Sequence, residues 1–330
     1  MPAILFSLAT ILLWGFLAVL SAGVSHLPAF LSAGLALTLG GLVGLVRVRE
    51  WRVPGSTLAV GVGGIFGYHA LFFLALRYAP AVEANLLQYL WPLLIVVLTP
   101  LFFPARRLGL HHLAGAALGL CGAFLVISGG RLSLDLSHLP GYLLALGAAL
   151  VWSSYSLVTK RLPPFPTGAV GGFCLASGLL SLGIHGLERL AHPSPPPAIG
   201  GHDWLLLALL GLGPMGLAFF TWDAALKRGD PRVIGALAYL TPLLSTLVLV
   251  LVGGRRLSPL AAGAMALIVA GAVVGSLDLF RRSGQDAGDA GGQGVGHGTG
   301  EHGLQAQPGQ VAPAFRRQGA DAAHLDGDAG

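Results

Sequence analysis

The segment RYAPAVEANLLQYLWPLL occupies residues 77–94, and a related segment, KRGDPRVIGALAYLTPLL, occupies residues 227–244. At an offset of 150 residues, the alignment pairs Tyr89 with Tyr239 and places a proline three residues later in each copy. The pair Arg106–Arg107 recurs as Arg255–Arg256 at an offset of 149 residues, and Trp14 recurs as Trp152 at an offset of 138 residues. These matches indicate an internal duplication, so the two halves of the chain are expected to share one plan.

The composition excludes a soluble globular protein. Of the 330 residues, 54% are hydrophobic and only 10% are charged, and the mean hydropathy is +0.76. Soluble domains carry about 25% charged residues. A bilayer core about 30 Å thick needs roughly 20 apolar residues for each helical crossing, so about 200 residues suffice for ten crossings. The remaining residues then form short loops and a tail.

Ten apolar runs, bounded by charged residues or by proline and glycine, predict an all-α membrane protein with ten transmembrane helices. The predicted helices are Ile4–Ala22, Ala29–Val46, Thr57–Leu76, Val82–Phe103, His111–Gly129, Pro140–Thr159, Thr167–Leu187, Trp204–Ala225, Val233–Val252 and Pro259–Phe280. Residues 283–330 are rich in Gly, Ala, Gln, Asp and His and almost free of large apolar side chains. Such a stretch cannot bury enough surface to fold, so we expect a disordered C-terminal tail.

Lysine and arginine residues set the predicted orientation. With the N-terminus inside, the inner loops carry 12 basic residues and the outer loops carry 5, which favours cytoplasmic positions for both termini. Because five helices per copy is an odd number, the two copies, residues 1–135 and 136–282, must have opposite orientations. The inversion also accounts for Arg255–Arg256 in an outer loop. Inverted repeats of this kind are typical of secondary transporters, whose substrate site lies near the bilayer midplane.

Aromatic and polar side chains inside the predicted helices are the candidates for substrate binding, because each costs free energy in lipid unless it faces a partner or a cavity. The candidates are Trp14, Tyr68, His69, Asn85, Gln88, Tyr89, Trp91, Trp152, Tyr155 and Tyr239. Asn85, Gln88 and Tyr89 are spaced three and four residues apart, so they share one helical face. Two interpretations stay open: a cavity wall that binds substrate, or hydrogen bonding and packing between helices.

Two prolines occupy equivalent positions inside predicted helices of the two copies. Pro92 and Pro242 each remove a backbone hydrogen bond and favour a kink. Paired kinks are candidate hinges for alternating access. Static bends that only shape the packing are the alternative.

Several other function classes find little support in the sequence. No carboxylate lies at the centre of the first helix, where a small multidrug antiporter needs one, so transport driven by the substrate gradient is the simpler expectation. A proton role for His69 or Asp223 stays open. Ser128 and His69 do not form the facing nucleophile and base of an intramembrane enzyme. We expect no catalytic residue, no metal or other cofactor, no disulfide from Cys121 and Cys174, and no nucleic-acid partner.

The stretch GYHALFFLALRYAPAVEANLLQYLWPLLIVVL, residues 67–98, resembles the drug/metabolite transporter superfamily with its EamA-type repeats. Within it, the stretch looks like the YddG-type aromatic amino-acid exporters, and the resemblance covers residues 1 to about 282. It implies a basket-like bundle in the bacterial inner membrane, with a central cavity that exports Phe, Tyr, Trp or related small metabolites. The shared stretch contains Tyr68, His69, Tyr89 and Trp91. The first and sixth helices contribute the aromatic residues Trp14 and Trp152. Partners are then a small-molecule substrate and the lipid bilayer, with the protein as a monomer. The alternative is the same fold acting on other amino acids or cationic drugs, with or without proton coupling.

Overall fold

Helices form all the regular structure in the part of the chain that the computed structural model describes, residues 2–131, 135–193, 195–253 and 259–277. The all-α prediction is confirmed for these residues, which belong to one compact unit. The predicted disordered tail at 283–330 and the arginine pair Arg255–Arg256 lie outside the described residues.

Fourteen α-helices alternate with short connections in the described ranges. They are α1 (Pro2–Gly15), α2 (Leu17–Gly23), α3 (Ala29–Val43), α4 (Gly55–Tyr78), α5 (Ala81–Gln88), α6 (Trp91–Phe102), α7 (Leu110–Ser128), α8 (Leu139–Arg161), α9 (Ala169–Ala191), α10 (Gly201–Leu212), α11 (Ala218–Arg228), α12 (Pro231–Ala238), α13 (Leu240–Gly253) and α14 (Pro259–Gly275). Two 3-10 helices, Gly44–Trp51 and Leu136–His138, and one π-helical turn, Gly213–Leu217, complete the order.

Nine helical stretches within the described residues are long and apolar enough to cross a bilayer. In chain order, spans 1 to 9 are Pro2–Gly23, Ala29–Trp51, Gly55–Tyr78, Ala81–Phe102, Leu110–Ser128, Leu136–Arg161, Ala169–Ala191, Gly201–Arg228 and Pro231–Val248. The chain is therefore a multi-pass helical membrane protein. The tenth predicted helix, Pro259–Phe280, begins as the shorter α14, and its last residues lie outside the described ranges, so the count of ten stays a prediction.

Spans 4 and 9 are each interrupted near the position where the sequence predicted a kink. α5 ends at Gln88 and α12 ends at Ala238, which in both cases is four residues before a proline. A proline has no N–H to donate to the carbonyl four residues earlier, and its ring clashes with that carbonyl, so the helix ends there. Both interruptions lie where kinks were expected from Pro92 and Pro242, inside the predicted helices Val82–Phe103 and Val233–Val252. That either proline acts as a hinge stays a prediction.

Span 8 departs from a regular helix for a different reason. The predicted continuous helix Trp204–Ala225 is wrong at Gly213–Leu217, where the backbone makes a π-helical turn. Pro214 lies in this turn, and Gly216 approaches Gly40 of α3 so closely that an added Cβ would lie 2.8 Å from the Gly40 Cα. Turns of this kind are frequent at functional sites.

Glycines allow the helix axes to approach closely in the pairs α3–α9 and α7–α14. A Cβ built on Gly178 of α9 would lie 2.6 Å from the Thr38 backbone nitrogen of α3. A Cβ built on Gly115 of α7 would lie 2.5 Å from the Gly275 Cα of α14. Small residues at such contacts are a main source of helix association in lipid, because packing replaces the hydrophobic effect there.

Substitution of Gly115 by Ala should destabilise the protein, because the new methyl group meets the backbone of α14 and neither helix can yield without separating. Overpacking of this kind costs about 1–3 kcal/mol. Thermal unfolding of the detergent-solubilised protein measures the effect. The matched control is Gly63→Ala on α4, where an added Cβ meets nothing within 4 Å. Equal melting temperatures for the two variants would contradict the close α7–α14 contact.

Candidate functional site

A cavity of about 380 Å³ lies between spans 1, 3, 4, 6, 8 and 9. Its volume is in the range of pockets that hold small ligands. Eight predicted candidates are among the residues that line it: Trp14, Tyr68, His69, Asn85, Gln88, Tyr89, Trp91 and Trp152. The structure thus brings together residues that are up to 138 positions apart in the chain. That any of them binds substrate stays a prediction.

The base of the cavity is formed by three tryptophans in edge-to-face contact. The ring centroid of Trp14 lies 5.8 Å from that of Trp91 and 5.9 Å from that of Trp152, and the last two are 6.4 Å apart. Each of the three side chains is less than 9% exposed. The Trp14 indole N–H donates to the Pro214 carbonyl, which belongs to the π-helical turn. The irregular turn in span 8 therefore holds a cavity ring in place.

A fourth tryptophan packs against two of these three rings. The Trp222 centroid lies 5.2 Å from that of Trp14 and 5.5 Å from that of Trp91, and Trp222 is only 1% exposed. Its indole N–H donates to Ser156 Oγ at 3.1 Å. Because the N–H group is satisfied, the ring can remain in the apolar interior without an unpaired donor.

Polar groups on α4 and α5 form one wall of the cavity. Gln88 Nε2 donates to the Tyr68 hydroxyl at 3.1 Å, which leaves the Tyr68 proton free to bind a ligand oxygen. Asn85 Nδ2 donates to the Ala81 carbonyl one turn earlier. The hydrogen bond between Gln88 and Tyr68 is of the interhelical kind that the sequence left open as an alternative, yet both residues also line the cavity.

The hydrogen bond of His69 determines what its ring offers to a ligand. His69 Nδ1 lies 2.7 Å from the Ile65 carbonyl, and a carbonyl only accepts, so Nδ1 carries the proton. In the neutral ring, Nε2 is then a hydrogen-bond acceptor. His69 is only 7% exposed and lines the cavity beside Tyr68 and Phe73. Among the residues that the structure describes, none that lines the cavity is an aspartate, glutamate, lysine or arginine.

Two of the predicted candidates do not line the cavity. Tyr155 packs between helices: its ring lies against Gly64 of α4 and 5.3 Å from the Trp152 ring. Tyr239 is completely buried, and its hydroxyl contacts the backbone of span 4. Both occupy the packing role that the sequence left open as the alternative.

Charged side chains lie at the end of the bundle opposite the cavity mouth. Asp223, which is 4% exposed, accepts from Lys227 Nζ and from Thr167 Oγ1, both at 2.7 Å. The Lys227 ammonium also lies 3.6 Å from the centroid of the Phe165 ring. Asp223 is thus paired, and it does not line the cavity. These contacts tie span 8 to the connection between spans 6 and 7.

A second charged cluster ties spans 4 and 9 together at the same end. Asp230 contacts Arg106 and Arg232, and the Arg232 guanidinium donates to the Arg107 carbonyl. Burial raises the pKa of Asp230, but hydrogen bonds from Arg232 and the charges of Arg232 and Arg106 outweigh it, so the pKa of this carboxyl lies below its ordinary value. Asp230 is therefore ionised at neutral pH, and its ion pairs join the segment after span 4 to the start of span 9.

Several cavity residues were not among the sequence candidates. They are Leu17, Ala18, Ser21, Phe72, Phe73, Leu76, Pro214, Met215, Phe219, Thr241 and Ser245. Helical spacing could have found Phe72 and Phe73, which lie one turn after Tyr68 and His69. Met215 and Pro214 depend on the π-helical turn, which no sequence signal other than the proline itself predicts.

Several known proteins of related sequence are named as amino-acid exporters. The chain is 43% identical over 289 residues to the aromatic amino acid exporter YddG of Ancylobacter novellus, which covers 85% of this chain and 98% of that protein. It is 28% identical to the threonine/homoserine exporter RhtA of Escherichia coli, over 76% of this chain and 82% of that one. A solved crystal structure with 42% sequence identity superposes with a TM-score of 0.78 and covers 85% of this chain and 98% of its own.

The model of the EamA-like transporter family matches the chain twice, at residues 1–128 and at residues 139–277. Together the two matches cover most of the chain. With the relatives and the helical membrane architecture, they establish that the chain belongs to the EamA-like transporter family.

Proposed function

We propose that this transporter exports aromatic amino acids, Phe, Tyr and Trp, and related small metabolites by alternating access through the central cavity. The observation that carries the proposal is the cavity itself, in which three tryptophan rings meet a polar wall without a formal charge. A relative with 43% identity over nearly its full length bears the name aromatic amino acid exporter. The protein would act as a monomer in the bacterial inner membrane.

The chemistry of the wall suits a zwitterion. An amino acid carries one positive and one negative group, so a full opposing charge in the site would hold one of them too firmly for release. His69 Nε2 offers an acceptor for the ammonium group, and the Tyr68 hydroxyl offers a donor for the carboxylate. The tryptophan faces and edges at the base are suited to stacking against an aromatic side chain.

We infer that the fold consists of two inverted five-helix repeats, residues 1–135 and 136–282, with α14 as part of a tenth crossing. The helix contacts support this arrangement. Span 1 packs on span 8 and span 3 on span 6, while span 2 packs on span 7, span 4 on span 9, and span 5 on α14. When every span is exchanged for the one five positions later, this set of pairs maps onto itself, as a two-fold related pair of repeats requires.

The orientation follows from the basic residues and gives the cavity a direction. With both termini in the cytoplasm, spans 1 and 3 end, and span 4 begins, at the outer surface. The cavity extends toward this side, since Ser21 and Leu76 line it near the outer ends of spans 1 and 3. The clusters around Asp223 and Asp230 then close the cytoplasmic side. An outward-facing state, from which cargo leaves, would account for this arrangement.

The alternative function is export of other amino acids, because one relative is named a threonine/homoserine exporter. The tryptophan base argues against it, since small polar side chains gain little from ring faces. Cationic drugs are a second alternative, and the lack of a carboxylate in the cavity lining argues against them.

Substrate selectivity can be measured in proteoliposomes. Vesicles loaded with unlabelled Phe should take up labelled Phe and Trp by exchange, and they should take up Thr and methyl viologen several-fold more slowly. Repeating the assay with and without a pH gradient tests for proton coupling. Equal uptake of all four compounds would remove the aromatic claim.

Trp91→Ala and Trp152→Ala should each raise the KM for Phe about 3- to 10-fold, because one aromatic contact contributes roughly 0.5–1.5 kcal/mol beyond area burial. The variants Trp91→Phe and Trp152→Phe keep a ring and should recover most of the loss. Trp204→Ala, on the exposed start of α10, is the control for tryptophan removal. Wild-type KM values in both alanine variants would mean that the two rings only pack.

His69→Ala should weaken substrate binding more than it slows turnover, because it removes the acceptor for the ammonium group. A hydrogen bond to a charged group is worth roughly 1.5–3 kcal/mol, so KM for Phe should rise about 10- to 100-fold. The same substitution should leave binding of an analogue without the ammonium group, such as phenylpropionate, unchanged. His202→Ala, at an exposed position, is the matched control. An equal loss for both ligands would contradict the assigned role.

A further inference from the structure

The Tyr239 hydroxyl lies between two backbone groups of span 4 and forms hydrogen bonds with both. The Leu93 N–H, which in a regular helix would bond to the Tyr89 carbonyl, instead donates to the Tyr239 hydroxyl at 3.1 Å. That hydroxyl in turn donates to the Tyr89 carbonyl at 3.4 Å. A side chain of span 9 thus bridges the two backbone groups that the break in span 4 leaves apart.

The equivalent tyrosine of the first repeat is placed quite differently. Tyr89 corresponds to Tyr239 at the offset of 150 residues, and both follow the last residue of a short helix, α5 or α12. Yet Tyr239 is fully buried, whereas Tyr89 lines the cavity, and its hydroxyl makes no hydrogen bond with the described residues. The two copies of one sequence feature therefore occupy two states within a single structure.

The helices around the two tyrosines also differ: one pair is packed together, and the other pair lines the cavity. α12 packs on α6, on the closed side of the molecule. Their repeat counterparts, α5 and α13, instead both line the cavity, α5 with Asn85 and Gln88 and α13 with Thr241 and Ser245. A buried tyrosine therefore accompanies the closed pair of half-helices, and a free tyrosine accompanies the open pair.

We propose that the two tyrosines exchange these roles during the transport cycle. In the inward-facing state, Tyr89 inserts into the break of span 9, between the Leu243 N–H and the Tyr239 carbonyl, and Tyr239 turns into the cavity. In each state one tyrosine then bridges the break of the other repeat's span, and the other tyrosine lies in the cavity. This inference rests on the proposed alternating access between inverted repeats, and it names the contact that distinguishes the two states.

The exchange predicts opposite effects for two variants that each lose only one oxygen atom. Tyr239→Phe removes the bridge of the outward-facing state and should shift the equilibrium inward. Tyr89→Phe removes the bridge of the inward-facing state and should shift it outward. Intramolecular hydrogen bonds contribute roughly 0.5–1.5 kcal/mol each, so the equilibrium constant between the two states should change about 3- to 10-fold.

Cysteine labelling from outside measures this equilibrium without any substrate. Ser245, on the cavity wall, is replaced by cysteine in the full-length chain after Cys121→Ala and Cys174→Ala. Right-side-out membrane vesicles are then treated with a membrane-impermeant maleimide. The Tyr239→Phe variant should label more slowly than the parent, by up to about 10-fold, and adding Tyr89→Phe to it should return the rate toward the parental value. Tyr78→Phe, at the exposed end of α4, is the control and should label at the parental rate.

The double variant decides between exchange and simple packing. If Tyr239 only filled space, a second hydroxyl loss would leave labelling slow or slow it further. Labelling of the Tyr239→Phe variant at the parental rate, or a double variant as slow as the single one, overturns the proposal. Failure of the parent protein to exchange Phe, with the labelling results as expected, would instead overturn the proposed substrate and leave the tyrosine exchange intact.

Discussion

Backbone N–H and C=O groups cannot be left unpaired in lipid, and this constraint governs where the helices of this protein break. Irregular backbone at membrane depth is tolerated only where it is buried in protein or lines a cavity. The breaks in spans 4 and 8 meet this condition through side chains: the Tyr239 hydroxyl serves the break at Tyr89, and the Trp14 indole serves the π-helical turn at Pro214. Both breaks lie beside the cavity, so the geometry that interrupts the helices also shapes the site.

The sequence predicted the architecture well because its signals are local. Apolar run length set the spans, and the prolines at 92 and 242 marked where two of them break. The sequence was also sufficient to select eight cavity residues, because a polar or aromatic side chain inside a span is costly unless it faces a partner or a cavity. The sequence could not predict the hydrogen bonds of the Tyr239 hydroxyl, since its partners in span 4 lie 146 and 150 residues away along the chain. Trp222 was likewise missed, because its place beneath Trp14 depends on how span 8 packs.

Charge is segregated along the length of the bundle. The cavity lining is uncharged, whereas Asp223, Lys227, Arg106, Asp230 and Arg232 gather in two clusters at the closed end. Buried ion pairs contribute little net stability but are costly to disrupt one partner at a time. Helices joined by such clusters are therefore expected to separate together rather than one ion pair at a time. Asp223 and its partners thus have an evident structural role, which leaves His69 as the titratable group that a substrate in the cavity would meet.

The two repeats have diverged at the positions where their functions must differ. Asn85 and Gln88 of α5 correspond to Gly235 and Ala238 of α12. A Cβ on Gly235 would lie 3.0 Å from the Pro92 carbonyl, so only a residue without a side chain allows α12 to pack this closely on α6. The amides of α5 instead line the cavity. Small residues therefore permit close packing of α12 on α6, while their polar counterparts line the cavity, and the duplicated segment retains in both copies the tyrosine and proline at the break.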